Sequence, residues 1–357
     1  MNTLLKNILS ASVYDVAKRT PLDSAKKLSK KLHASIFLKR EDLQPVFSFK
    51  IRGAYNKMIN LTDTERRAGV SAVSAGNHAQ GVALSAQKLA TSAVIVMPKT
   101  TPSIKVEAVQ SYGAKVVLFG DNLAEAAEHC QKLTEESGRT FIHPYNDPLV
   151  IAGQGTIGKE ILEQLPQVTH VFIPVGGGGL IAGISGYIKQ IAPHIMVIGV
   201  EPEDAATLHT SLKENKRIIL NHVGVFADGV AVRQLGENSY AIAKQYVDAT
   251  ITVSNDQICA AIKQIFEETR TIVEPAGALA VAGIQQFSHE TAFSPSDNVV
   301  AINSGANMTF ERLQYVTERT LIGSGQEALL SVQLSEVFGA FEHLRAPLGK
   351  PTSSDFN

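Results

Sequence analysis

The sequence predicts an α/β protein of two lobes, each a parallel sheet covered by helices. Three observations carry this expectation. Short β-branched runs alternate with amphipathic helical stretches, the pattern of parallel strands joined by crossover helices. Clusters of small and polar residues follow directly after several of those runs, where open parallel sheets place their ligand loops. A chain of 357 residues also exceeds what one hydrophobic core usually organises.

Taken in order, Lys26, Lys27, Lys30 and Lys31 are spaced as the solvated face of a helix. A strand at 72–73 precedes a small-residue loop, and 93–97 and 115–119 read as buried strands. Leu123, Ala126, Ala127, Cys130 and Leu133 recur at three- and four-residue spacing, with Gly138 where that helix should stop. Further buried strands are expected at 170–175, 196–200 and 299–303. Ser254, Asn255 and Asp256 offer an N-terminal cap to a helix carrying Ile258, Ile262, Ile265 and Phe266.

Composition narrows the function classes. Hydrophobic residues at 44% and charged residues at 19% suit a globular enzyme with a large core. The net charge of -1, without a long basic run, excludes nucleic acid and an anionic membrane as partners. Cys130 and Cys259 are too few for a cysteine-rich zinc site, and a reducing, cytoplasmic setting fits them. His33, His129, His143, His209 and His222 lack metal-ligand spacing and read as surface or satisfied core residues. No metal is expected. The first residues do not pair a basic start with a long apolar run, so neither a signal peptide nor an anchor is expected.

Four motifs carry the chemistry. In Ser48-Phe49-Lys50-Ile51-Arg52-Gly53-Ala54 a lysine sits among apolar residues, where a lowered pKa exposes the lone pair that Schiff-base chemistry needs. The plainer alternative is a packed stem whose ammonium reaches solvent. Ser74-Ala75-Gly76-Asn77-His78 offers N–H donors to a carboxylate at a helix start, or simply a cap from Ser74 or Asn77. Gly176, Gly177, Gly178 and Gly179, followed by Leu180, let backbone wrap a phosphate at a helix N-terminus; a tight turn is the alternative. The dinucleotide pattern is excluded, because no strand ending in an acid follows about twenty residues on. In Asn303-Ser304-Gly305-Ala306-Asn307, Ser304 can face a ring nitrogen or cap the next helix. Together these are the contacts that pyridoxal phosphate and an amino acid require.

The chain resembles the fold-type II pyridoxal-phosphate enzymes, tryptophan synthase β-like in fold, and within them the threonine and serine dehydratases. The resemblance runs from about Ala11 to Gly325, and Glu41-Asp42-Leu43-Gln44-Pro45 leads into the lysine signature without a gap. It implies a cofactor in the cleft between the lobes, joined to Lys50, with Phe49 against one ring face and Gly229 against the other. It further implies Asn77 on the 3-oxygen, Gly176 to Gly179 with Leu180 on the phosphate, and Ser304 at the pyridine nitrogen. Ser74, Ala75, Gly76, Asn77 and His78 would then hold the substrate carboxylate. The implied reaction is elimination of the β-hydroxyl of L-threonine to give 2-oxobutanoate and ammonia, the first step of isoleucine biosynthesis. L-serine dehydration or serine racemisation is the alternative, and a dimeric or tetrameric homo-oligomer is the implied assembly.

Two departures discriminate. The related serine racemases carry a second proton-exchanging serine where this chain has Ala75, which disfavours racemisation. Their metal-binding stretch corresponds to Glu201-Pro202-Glu203-Asp204-Ala205-Ala206-Thr207, where Thr207 replaces an aspartate. Glu201 then reads as a helix-start or surface carboxylate, and Glu203 and Asp204 as solvated. Glu274-Pro275-Ala276-Gly277-Ala278 matches a family segment near the cofactor, with an acid that a structural role explains equally well.

The lobes are expected at 1–48 with 149–320, and at 49–148 as an insertion. Residues 321–357 resemble a linker and the incomplete start of an ACT-like regulatory module. Its first strand is expected at 328–334, a helix at 338–344 and a second strand near Asp355 and Phe356. The effector-binding part of such a module is absent from this sequence, so isoleucine control is not assigned to it.

Overall fold

The structure is a computed structural model and describes residues 3–328 and Gln333. Among the described residues the larger sheet contains β1 (Leu22–Ser24), β2 (Ser35–Arg40), β7 (His170–Pro174), β8 (Met196–Pro202), β9 (Ala249–Val253) and β10 (Asn298–Asn303). They lie in the order β1-β2-β10-β7-β8-β9, parallel throughout except for β1 against β2. The smaller sheet contains β3 (Val70–Val73), β4 (Ala93–Met97), β5 (Lys115–Leu118) and β6 (Thr140–Phe141), in the parallel order β5-β4-β3-β6. The chain leaves the larger sheet after β2, builds the smaller one, and returns with β7.

The side-chain period of two explains the near-continuous apolar runs. Val299 and Ala301 of β10 face one core with Ile36, Leu38 and Phe172. Val300 and Ile302 face the other with Val171, Ile173 and Val197. Both faces are dry, because the crossover helices cover both. Each of the Val, Leu, Ile and Phe side chains among these contributes about 1.5–3 kcal/mol by leaving water.

Helix signals act as their chemistry requires. The helix Leu123–Ser137 starts on the Asn122 side chain and ends at Gly138, whose φ of 66° suits glycine. The helix Asn255–Thr269 is capped by Ser254 and reciprocally by Gln257, with Ile258, Ile262 and Ile265 buried and Phe266 partly exposed. Lys26, Lys27, Lys30 and Lys31 are exposed on the helix Lys26–Leu32.

One strand departs from expectation. β5 is not buried: it pairs only with β4, and Leu118 and Phe119 are exposed. Its apolar run matches that of a central strand, but its position at the sheet edge leaves one side uncovered. Glu201 also differs. It is buried at the end of β8 and accepts the N–H groups of Leu208 and His209, each at 2.7 Å, at the start of the helix Thr207–Lys213. The helix-start reading holds and the surface reading does not. Burial pushes its pKa to about 8.

The helix Lys50–Ile59 is anchored from beneath by a buried charge network. Arg52 donates to Glu41 Oε1 at 2.7 Å and to Glu160 Oε1 at 2.6 Å, and Lys39 Nζ donates to Glu160 Oε2 at 2.6 Å. Glu41 follows β2 and Glu160 lies on the helix Pro148–Gln164, so three segments meet on one guanidinium.

The helix Arg312–Gly323 runs through position 320, which separated the large lobe from the linker in the sequence reading. Ala328 and Gln333 are exposed and irregular. The rest of the expected strand at 328–334, the helix at 338–344 and the strand near Asp355 and Phe356 lie outside the described residues. No described helix is long and apolar enough to cross a membrane.

Candidate active site

Loops beyond the carboxyl ends of β2, β3, β7 and β10 converge on one cleft, as open parallel sheets require. The cleft holds about 440 Å³ of empty space, open solvent included. Phe49, Lys50 and Asn77 line it, with Gly176, Gly177, Gly178, Gly179 and Leu180. Gly229 and Ser304 complete the residues that sequence reasoning placed there. Ser74, Ala75 and Gly76 stand half-buried after β3 and do not line it. A Cβ on Gly76 would meet nothing within 4 Å, so that position borders open space. His78 is buried, with its ring Nε2 2.7 Å from the Ile142 carbonyl oxygen. Burial and the charge of Lys50 lower its pKa to about 3, so the ring is neutral and commits Nε2–H to that carbonyl.

Lys50 does not extend its ammonium to solvent. Nζ donates to the Pro144 carbonyl oxygen at 3.0 Å and lies 5.2 Å from the centre of the Phe49 ring. Burial lowers its pKa to about 8, with the charge of Glu274 pulling the other way. A lysine with one carbonyl partner and no carboxylate in bonding contact keeps a nucleophilic fraction at neutral pH.

The glycine loop is imposed by its surroundings. A Cβ on Gly179 would stand 2.9 Å from the Tyr145 carbonyl oxygen, one on Gly176 2.9 Å from the Val230 Cα, and one on Gly177 only 2.2 Å from Cγ and Cδ1 of the Tyr145 ring. Gly178 caps the helix Gly179–Ile191 with a φ of 87°. That helix has no side-chain cap and no acid in its first turn, so its first N–H groups are open to an anion.

Ser304 is buried and donates to the Ala276 carbonyl oxygen at 3.2 Å; no helix follows it for capping. Neither Ser74 nor Asn77 caps the helix Asn77–Lys88, whose N-cap is Gly76. The Asn77 amide is engaged instead: Nδ2 donates to Glu274 Oε1 at 2.6 Å.

Tyr145 lines the cleft and was missed by sequence reasoning, and Glu274, whose segment the resemblance put near the cofactor without a role for the acid, lines it too. Glu274 is buried, and burial with the nearby Asp228 raises its pKa to about 7. Its only signal was the family segment it opens. Tyr145 follows β6, and a two-residue strand is too short to announce a ligand loop.

Over residues 13–305 the chain matches the family model described as pyridoxal-phosphate dependent enzyme. The chain belongs to that family. It is 52% identical over 353 residues to a biosynthetic, chloroplastic threonine dehydratase of Arabidopsis thaliana, covering 99% of this chain and 60% of that protein. It superposes on the processed form of threonine deaminase isoform 2 from Solanum lycopersicum with a TM-score of 0.87 and 51% identity. That match covers 88% of this chain and 92% of the other. Maize serine racemase gives a TM-score of 0.83 at 32% identity, covering 90% and 98%. This member of the family spans about three fifths of the length of curated relatives it matches.

Pyridoxal phosphate fits the cleft. The uncapped helix start suits a phosphate dianion, the glycines leave room that side chains would fill, and half-buried Lys50 has no carboxylate in bonding contact.

Proposed function

We propose that this chain catalyses the dehydration and deamination of L-threonine to 2-oxobutanoate and ammonia, within isoleucine biosynthesis. The observation that carries this reading is a half-buried Lys50, with no carboxylate in bonding contact, facing the same cleft as an uncapped glycine-loop helix. Identity above 50% to a biosynthetic threonine dehydratase supports threonine over other amino acids. We take residues 49–148 as a lobe inserted into 1–48 and 149–320, and the enzyme as a cytoplasmic homo-oligomer.

When bound, pyridoxal phosphate supplies the electrophilic carbon that captures the substrate amine and the electron sink that stabilises charge at Cα. The chain supplies the rest. Gly176 to Gly179, with Leu180, would hold the phosphate by backbone N–H groups, and Phe49 and Gly229 would bound the ring faces. Lys50, with a pKa of about 8, would take the Cα proton, and the Pro144 carbonyl holds its Nζ at the cleft. The loop from Ser74 through Ala75, Gly76 and Asn77 to His78 receives the substrate carboxylate through backbone N–H groups, since the His78 ring is committed elsewhere. Ser304 would place a neutral hydroxyl, here bonded to the Ala276 carbonyl, beside the ring nitrogen, so no carboxylate there would hold a proton on the ring. That arrangement favours elimination over transamination. Ala75 has no proton to exchange, which disfavours racemisation.

The test is the visible spectrum of the purified protein before and after L-threonine, with keto acid measured in the same sample. A yellow protein whose band shifts as 2-oxobutanoate appears is the expected result. Turnover of L-serine alone would move the function to the serine dehydratases. A protein that stays colourless with pyridoxal phosphate would overturn the reading.

A further inference from the structure

Asn307 lies in the loop after β10 and lines no part of the cleft, yet both of its amide N–H bonds are spent on one arrangement. Nδ2 donates to the Val46 carbonyl oxygen at 2.8 Å and to Asn77 Oδ1 at 2.5 Å. Asn77 Nδ2 in turn donates to Glu274 Oε1 at 2.6 Å. The chain of bonds has one direction only. A backbone carbonyl accepts and never donates, so Val46 fixes which end of the Asn307 amide faces it. Asn307 must then offer N–H to Asn77, and Asn77 must answer with its carbonyl oxygen. Reversing Asn77 would set donor against donor at Asn307. Reversing both amides would set oxygen against oxygen at Val46.

The amide nitrogen of Asn77 therefore lies on the cleft side, with one N–H given to Glu274 and one remaining. Nδ2 stands 3.9 Å from where a Cβ on Gly229 would be, and Gly229 is itself part of the cleft wall. We propose that Asn307 is a positioning residue that, anchored on the Val46 carbonyl, holds the Asn77 amide so that the cleft receives an N–H donor and not a carbonyl oxygen. This rests on the reading of the cleft as a pyridoxal-phosphate site. There, a donor at Asn77 favours the anionic form of the cofactor's 3-oxygen, and a carbonyl would favour its protonated form.

The test uses the full chain reconstituted with pyridoxal phosphate and reads the ratio of visible to near-ultraviolet absorbance of the bound cofactor at fixed pH. Asn307→Ala releases the Asn77 amide and should lower that ratio severalfold. Asn307→Asp is nearly isosteric but offers only acceptors, which reverses Asn77, and should lower the ratio by about tenfold or more. A packing role predicts the opposite order, with aspartate spared and alanine impaired. That order, or an unchanged ratio in both variants, overturns the proposal. Thermal melting of the cofactor-free variants separates this effect from loss of fold. If the aspartate variant does not fold, the double variant decides. In an Asn77→Ala background Asn307→Ala should have no further effect on the ratio, and an additive effect overturns the proposal. A wild-type protein without a visible band overturns the cofactor reading itself, and the relay with it.

Discussion

Two lysine–glutamate sets, Lys39 with Glu160 and Lys50 with Glu274, are built on opposite principles. Beneath the helix Lys50–Ile59, every charge is answered. Lys39 Nζ donates to Glu160, to the Thr20 carbonyl at 2.8 Å and to Gln164 at 2.9 Å, which uses all three of its protons. Glu160 also accepts from Arg52 and from the Tyr14 hydroxyl at 2.9 Å. In the cleft, Lys50 has one carbonyl and Glu274 one amide. The paired set is silent chemistry that holds three segments together. The unpaired set has its pKa values drawn toward neutrality, Lys50 down to about 8 and Glu274 up to about 7, where proton transfer is useful. Burial alone does not make a site; burial without a full partner set does.

The contrast is broken most severely at Lys50. Lys50→Ala should lower threonine turnover by roughly 10³-fold or more while the cofactor-free protein melts no lower than wild type. A large loss of melting temperature would mean that Lys50 is structural after all. Arg52→Met should do the reverse. It leaves Glu41 and half of Glu160 without a counter-charge and should cost about 3–5 kcal/mol in urea unfolding. A cost below about 1 kcal/mol would show that the network relaxes or takes up water.

Glu274→Gln sharpens the comparison through pH. The folded-state pKa of Glu274 is raised above its unfolded value, so its contribution to stability is full below pH 4.5 and is lost as pH rises to about 7. Asp228, Asn77, Lys105, Arg312 and Lys50 are among the groups that act on it. Glutamine keeps the acceptor for Asn77 without the charge. The variant should therefore lack that decline and be more stable than wild type at pH 8, by up to about 3 kcal/mol before cofactor is added. Parallel stability–pH curves for the two proteins would count against a buried, unpaired Glu274. The smallest effect is expected from Gly177→Ala. Its methyl group must displace the Tyr145 ring, and pyridoxal phosphate affinity should fall by about tenfold while the charge network is untouched. Titration of the visible band measures it, and unchanged affinity would show that the loop moves freely.

What was legible in the residues alone was what local chemistry imposes. Four consecutive glycines after an apolar strand can hardly pack as anything but a close-approach loop. Lys50 announced itself by an apolar context, and β10 and β7 by runs that only a sheet covered on both faces tolerates. The same rule misread 115–119, because an apolar run does not record whether a second strand lies beside it. Ser254 was read correctly as a cap and Gly138 as a helix stop, where the groups involved lie a few residues apart, whereas the cap from Asn122 went unread and the alternative of a cap from Asn77 fails because its partners come from elsewhere.

By itself the sequence determined the class of fold, the order of its elements, and the lysine and glycine loop that line the cleft, since each depends on neighbours within a few positions. The tertiary structure alone decided that Glu274 faces the cleft, that Tyr145 closes over the glycines, and that Val46 sets the direction of an amide 31 residues before it is used at Asn77 and 261 residues before Asn307. Hydrogen-bond direction and desolvation are properties of atoms brought together in space, and a sequence records only which atoms are available.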